Sequence, residues 1–430
     1  MSIQQQHTKL TIGLFGFGVV GEGLYKVLAQ TPSLQASIKK ICIKDPEKTR
    51  NAPKELFTTN ASELLEDDDI NVIVELISDA DAAFSIVTTA LKSRKAVVSA
   101  NKKLIAEHLE YLLQLQEEAQ VPFLYEAAVC ASIPVIRNLE EYYDNDLLQS
   151  ISGIINGSTN YILTKVFEES LDFETALKQA QLAGFAEADP SLDIEGIDAQ
   201  NKLAILLAHA YGIVTPPETL LCNGIISLNK QDATYAREKG FQIKLVAQAK
   251  KLANGTVAAF VLPQFIAPES RLYNVRNEYN GVELESNLAD KQFFYGKGAG
   301  SYPTASAVLS DLSALRYQYK YEYKKLKYQL PSQLSQDFNL KVYVSFDKLH
   351  QVPKDAFVAI QEWSSTDTHC HVTGIIKAAT LLQNDWWRNN KTSLILFEIQ
   401  DDLVSLDNSS DKSSIGELVP IDADFYEVSL

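Results

Sequence analysis

The chain predicts an α/β protein: an N-terminal doubly wound parallel sheet followed by two α+β parts. Three observations carry that expectation. Apolar runs of strand type alternate with helix-length stretches from Leu10 to about Pro134. A glycine-rich turn joins the first of these strands to the first helix. Beyond about Ser150 the alternation gives way to strand-rich stretches around one long helical block. At 430 residues the length allows several domains, given roughly 150 residues for each.

The strand-type runs are Leu10–Phe15, Ile41–Ile43, Val72–Ile77, Ala96–Ser99 and Phe123–Tyr125, all rich in residues that suit a sheet buried on both faces. A second group follows, with a strand at Ile151–Ile155, a helix at Asp198–Tyr211 and a strand at Thr256–Phe265. A third group, Lys341–Phe346, Thr368–Ile376 and Ser393–Ile399, comes after the break at Pro331-Ser332-Gln333. Between the last two groups, Arg316–Lys325 interleaves Tyr with charge at period two, the period of a half-buried strand. His369-Cys370-His371 would place successive side chains on opposite faces of a strand, which does not make a metal site.

Composition narrows the function classes. Hydrophobic residues at 46% and charged ones at 22% are globular values. Asp plus Glu outnumber Lys plus Arg by 55 to 39, a net charge of −16 that repels phosphate backbones and anionic lipid. Nucleic acid and membrane are therefore not expected partners. Cys42, Cys130, Cys222 and Cys370 show no CxxC spacing, and Met1–His7 lacks a basic and apolar leader. No apolar stretch reaches the roughly 18 residues that span a bilayer. A soluble, cytoplasmic protein is expected.

Gly16-Phe17-Gly18-Val19-Val20-Gly21 sits between the strand Leu10–Phe15 and the helical run Glu22–Gln30. This is the GxGxxG fingerprint of a Rossmann-type dinucleotide site in its required context. The first glycine allows the turn, the second admits a pyrophosphate, and the third lets helix pack on strand; the phosphates then meet the helix N-terminus. After the second strand, Lys44 suits the 2′-phosphate of NADP and Asp45 the free ribose of NAD, with Lys48 and Arg50 close behind. The balance of charge leans to NADP, with NAD left open.

Further on, Asp198 and Lys202 are spaced i, i+4 on one helix face, behind an acidic stretch that holds Glu187, Asp189, Asp193 and Glu195. Apolar Leu203–Leu206 follows. A lysine at the edge of a core, beside carboxylates, is placed to move a proton near neutral pH. A structural ion pair is the alternative reading of the same spacing.

Five segments together resemble the homoserine dehydrogenase family: Ser99-Ala100-Asn101-Lys102, Glu126 through Pro134, Gly153 through Tyr161, Gly184 through Leu206, and Gly296 through Gly300 with Pro303–Ala307. The resemblance covers about residues 10 to 315. It implies a dinucleotide-binding domain at 1–137 with a return helix at 300–316, and a catalytic and dimerisation domain at 138–299. For residues 335–430 two readings stand: a divergent amino-acid-binding regulatory domain of the ACT type, or strands that cover an apolar face of the middle domain.

The resemblance implies interconversion of L-aspartate 4-semialdehyde and L-homoserine with NADP or NAD, in the biosynthesis of threonine, methionine and isoleucine, by a homodimer or higher oligomer. Lys202 falls at the family's catalytic lysine, with Asp198 beside it and Lys102 as a second active-site lysine. Glu187, Asp193 and Asp198, with Gly157 and Ser158, fall at substrate positions. The cofactor set comprises Gly16, Phe17, Gly18, Val19, Val20, Gly21, Lys44, Ser78, Ser99, Asn101, Lys102, Gly184, Glu187 and Gly300. Glu126, Val129, Ala131 and Ile133 fall at the family's sodium site. One departure is plain: Cys130-Ala131-Ser132 replaces the glycines usual there. Two other functions are weighed, a catalytically silent NAD(P)-binding sensor and a dehydrogenase of another small aldehyde.

Overall fold

The computed structural model describes residues 9–145, 147–328, 332–366, 370–389 and 391–400. Met1–His7, the break at Pro331, His369 and residues 401–430 of the C-terminal span lie outside the described residues. The chain divides into two units. The first holds residues through Leu148, Asn201–Thr219 and Glu278–Ser332; the second holds Gln149–Gln200, Leu220–Asn277 and the residues from Gln333 onward.

In the first unit, β1 (Leu10–Phe15), β2 (Ala36–Cys42), β3 (Phe57–Thr58), β4 (Val72–Glu75), β5 (Ala96–Ser99) and β6 (Phe123–Leu124) form one sheet of order β3-β2-β1-β4-β5-β6. Every pairing in it is parallel. The order reverses at β1 and β4, where sheets of this kind open a crevice beyond their strand ends. Strand β4 is buried throughout and β1 nearly so, which is why both read as unbroken apolar runs. Helices Val19–Gln30, Ala80–Lys92 and Lys102–Ala119 connect the strands. Helix Ser301–Leu315 returns to pack on Val19–Gln30. The contact is close because Gly23 lacks a Cβ, which would lie 2.5 Å from Ser301 Oγ.

The second unit carries β7 (Leu148–Ile154), β8 (Leu221–Cys222), β9 (Gln242–Lys251) and β10 (Val257–Ile266). The chain then returns to the first unit for the antiparallel hairpin of β11 (Tyr279–Ser286) and β12 (Asp290–Lys297). It re-enters the second unit for β13 (Leu334–Ser335), β14 (Asn339–Phe346), β15 (Phe357–Ser365), β16 (Cys370–Lys377) and β17 (Thr392–Gln400). The strand order there is β7-β9-β10-β17-β14-β16-β15. Strand β10 is buried along its whole length, with β9 on one edge and β13, β8 and β17 in succession on the other. One apolar core joins Leu221, Leu252, Phe260 and Leu262 to Leu340, Val342, Leu394 and the fully buried Trp387. The C-terminal strands thus share a core with the middle of the chain. Among the described residues, no helix is long and apolar enough to cross a membrane.

The tyrosine-rich stretch differs from the expectation. Residues 319–323 keep the alternation, with Tyr321 and Tyr323 buried and Lys320 and Glu322 at the surface, yet they join no sheet. The amides of Glu322 and Tyr323 both donate to the Glu140 carboxylate, each at 3.1 Å. Tyr323 then turns left-handed, φ 49°, into the short helix Lys324–Lys327. A side chain supplies the acceptors that a neighbouring strand would have offered.

Candidate active site

The cradle at the end of β1 is built by sterics. Gly16 has φ 91°, and a Cβ on it would lie 2.7 Å from Leu76 O. A Cβ on Gly21 would lie 2.3 Å from Gly16 O, so the turn and the helix meet backbone to backbone. Gly18 has open space within 4 Å on its Cβ side, and as N-cap it offers no side chain to the amides of the first turn. Those amides and the helix dipole are left for an anion. Phe17 packs edge-on against Tyr25 and Phe57, which fixes the turn, while Glu22 of the first turn is neutralised by Lys26 at 2.6 Å. The cradle fits a dinucleotide pyrophosphate.

Beyond β2, Lys44 is exposed, and Asp45 spends one carboxylate oxygen on the amide of Glu47 at 2.9 Å. Arg50 donates to Lys48 O at 2.7 Å and lies over the Phe57 ring. At the ends of β4 and β5 a buried set comes together. Ser99 Oγ donates to Glu75 Oε2 at 2.5 Å and accepts from Asn101 N at 3.1 Å. Asn101 caps helix Lys102–Ala119 through Leu104 N, which puts Lys102 at the first helical position. Ser78 is exposed in the loop after β4.

The stretch after β6 makes a tight turn. Cys130 O accepts from Ile133 N at 3.0 Å, and Ala131 between them has φ 43° and ψ −105°. That is the second position of a type II′ turn, where glycine is the unstrained residue. Ser132 ties the turn to the Gly296–Gly300 loop, its Oγ donating to Lys297 O at 2.9 Å. Gly300, φ 115°, caps helix Ser301–Leu315. Glu126 accepts the amides of Ile136 and Arg137, each at 2.9 Å, and gives its own amide to Asp311, which Arg137 meets at 2.8 Å. Burial, with the neighbouring Asp311, pushes the Glu126 carboxyl up to about 8; burial pushes Asp311 up to about 7. Asp311 takes the Arg137 guanidinium and Glu126 the neighbouring amides, so the cluster presents oxygen acceptors of the kind a monovalent cation would use.

In the second unit, Asn156 is the organising residue. Its Oδ1 caps helix Gly157–Glu168 at Thr159 N, and its Nδ2 donates to Asp193 at 2.7 Å and to Asp198 at 2.8 Å. Ser158 Oγ donates to Phe185 O at 2.6 Å, which holds the Gly184–Ala186 turn against the helix. Gly157 is the first residue of that helix, and Gly184 stands in the turn with φ 75°. Asp193 is half-buried and Asp198 buried, while Glu187 is exposed and Asp189 is spent on Ser191. Helix Ile197–Tyr211 carries Asp198 in its first turn and, one turn later in the part that belongs to the first unit, Lys202; both are buried.

Sequence reasoning missed several residues. Asn156 stood in a quoted motif without a role, although Asn before Gly-Ser-Thr is an N-cap signal. Lys244 is 1% exposed in β9 and donates to Asn160 Oδ1 and Val275 O; burial lowers its ammonium to about 7. Its signal was a lone lysine inside an apolar strand. Glu75 and the chain Tyr125 OH, His209 and Glu140 carried no local signal at all; His209 meets Tyr125 OH at 2.9 Å and Glu140 at 2.6 Å.

The family model described as homoserine dehydrogenase matches residues 134–313, and the one described as its NAD binding domain matches residues 16–126. The chain is 36% identical over 315 residues to homoserine dehydrogenase of Bacillus subtilis, covering 71% of this chain and 72% of that one. It is 39% identical over 311 residues to that of Synechocystis, covering 70% and 72%. Among solved structures, a homoserine dehydrogenase from Thiobacillus denitrificans superposes with a TM-score of 0.79 at 28% identity, over 90% of this chain and 98% of that one. A hyperthermophilic archaeal homoserine dehydrogenase in complex with NADPH gives 0.62 at 27% identity, over 73% and 99%.

Proposed function

The chain belongs to the homoserine dehydrogenase family and is an NAD(P)-dependent oxidoreductase; from that premise we propose how its residues divide the reaction. The observation that carries the proposal is helix Ile197–Tyr211, which sets a buried lysine one turn after a buried carboxylate that Asn156 holds in place. A nicotinamide cofactor held by the crevice of the first unit would supply or take the hydride at the substrate's C4 carbon. Lys202 delivers the proton to the aldehyde oxygen on reduction and recovers it on oxidation. Asp198, held by Asn156, lies one turn before that lysine on the same helix. Lys102 stabilises the developing alkoxide. Glu187 and Asp193 bind the ammonium of L-homoserine, with Gly157 and Ser158 lining the same end, and Gly184 allowing the turn before Glu187.

Gly16 through Gly21, Ser78, Ser99, Asn101 and Gly300 hold the cofactor. With Asp45 committed to its own turn and Lys44, Lys48 and Arg50 near it, NADP is the preferred form. Glu126 with the carbonyls of Val129, Ala131 and Ile133 is the sodium site. The domain limits are those of the sequence reading, 1–137 with 300–316, 138–299 and 335–430. The four cysteines form no disulfide among the described residues, which suits a reducing cytoplasm, and the working form is a homodimer or larger.

The test is direct: purified protein is assayed with L-homoserine and either NADP⁺ or NAD⁺. Reduction of the cofactor, faster with NADP⁺ at equal concentration, is expected. Cofactor binding without turnover would favour a silent sensor. Faster turnover of an alcohol lacking the amino group would point to another aldehyde as substrate.

A further inference from the structure

Glu75 ends β4 and is fully buried, with hydrogen-bond donors as its partners. Its two carboxylate oxygens do different work. Oε1 accepts the amide of Ile77 at 2.7 Å, in the loop after β4, and Oε2 accepts Ser99 Oγ at 2.5 Å, at the end of β5. Ser99 Oγ in turn accepts Asn101 N at 3.1 Å, and Asn101 Nδ2 donates back to Ile77 O at 3.2 Å. The bonds close a ring through both loops. Ser78, which the proposed function gives to the cofactor, and Lys102, which it gives to the developing alkoxide, each follow the ring by one residue.

We propose that Glu75 is a positioning residue for the cofactor: it clamps the loop after β4 to the loop after β5 before the nicotinamide half arrives. The inference rests on the reading that the first unit's crevice holds NAD(P). A carboxylate accepts from both partners at once, whereas a glutamine would accept the Ile77 amide but have to donate to Ser99 Oγ, whose own hydrogen would then lose its buried acceptor. Burial lifts the carboxyl to about 7, with the bonds from Ser99 and Ile77 holding it down. An apolar residue would fill the same volume without that cost, so packing alone does not account for a glutamate here.

The test is a double-mutant cycle on NADPH binding, followed by cofactor fluorescence in the full-length protein. Glu75→Gln and Ser99→Ala are each expected to weaken NADPH binding on the order of tenfold, the effect of leaving one buried polar group unpaired. The double variant should be weakened by about the same factor, because both changes break one clamp. For Glu75→Gln, kcat at saturating NADP⁺ should return to within about threefold of wild type, and KM for homoserine should hold, which separates positioning from chemistry. Amide exchange in the cofactor-free wild type supplies a second readout: Ile77 and Asn101 should exchange slowly and Ser78 quickly.

Wild-type affinity for Glu75→Gln, or factors that multiply to about a hundredfold in the double variant, would overturn the clamp. So would equal exchange at Ile77, Ser78 and Asn101, a result that does not depend on any variant folding. A wild type that binds no NADPH would instead overturn the cofactor reading beneath it.

Discussion

The two units build their sites by opposite means. The crevice of the first is shaped by what is absent: no Cβ on Gly16 or Gly21, where one would meet a backbone oxygen, and open space beside Gly18. The acidic cluster of the second is shaped by what is present, one amide, Asn156, that spends its donors on Asp193 and Asp198 and its acceptor on a helix cap. Steric sites tolerate almost no substitution but need no partner. Polar sites depend on every member being satisfied. The difference decides how each should fail.

The largest expected effect comes from the second unit's core. A chain ending at Ser332 would leave Leu221, Phe260 and Leu262 without Leu340, Val342, Leu394 and Trp387, far more apolar surface than a folded unit can expose. Insoluble protein is expected on expression. A soluble, active truncation would make residues 335–430 a separable domain, and a regulatory one if it also abolished inhibition by an amino acid.

Next is Lys202→Ala, expected to lower turnover by roughly 10²–10⁴ with cofactor affinity retained, the range for losing a general acid. Turnover within about threefold of wild type would remove Lys202 from the mechanism. Gly21→Ala follows. With its Cβ 2.3 Å from Gly16 O the turn must open, and NADPH affinity should fall about a hundredfold, measured by fluorescence titration. A loss below about threefold would mean that the turn relaxes without disturbing the phosphate seat.

The smallest effect sharpens the comparison most. Ala131 occupies a glycine conformation in a turn of the same unit, and Ala131→Gly should stabilise that unit by about 1 kcal/mol, a rise of about 2 °C in its unfolding midpoint. An unchanged or lower midpoint would show that the strain is absorbed by the Ser132 contact with Lys297.

Legibility in the sequence follows the same line. The parallel sheet and its cofactor turn were readable because glycine spacing reports a steric requirement directly, and because β1 and β4 are buried on both faces. The Cys130–Ile133 turn was not, since alanine gives no sign of positive φ. The tyrosine run showed the right period and the wrong structure: Glu140, far away in the chain, supplies its acceptors. Glu75 was invisible because a strand-end acid is ordinarily solvated, and its partners Ile77 and Ser99 lie on separate elements, after β4 and at the end of β5. In the second unit the acidic stretch was readable as charge, but not which carboxylate Asn156 would claim and which would stay exposed.

The central claim is that the first unit's crevice holds the cofactor while the second unit's carboxylates select the substrate's ammonium. Its most direct test is kcat/KM for L-homoserine against the same alcohol lacking the amino group, in wild type and in Glu187→Gln. The account predicts that the preference for homoserine falls by about tenfold in the variant, through KM, while NADPH affinity holds. An unchanged preference accompanied by weaker NADPH binding would contradict it.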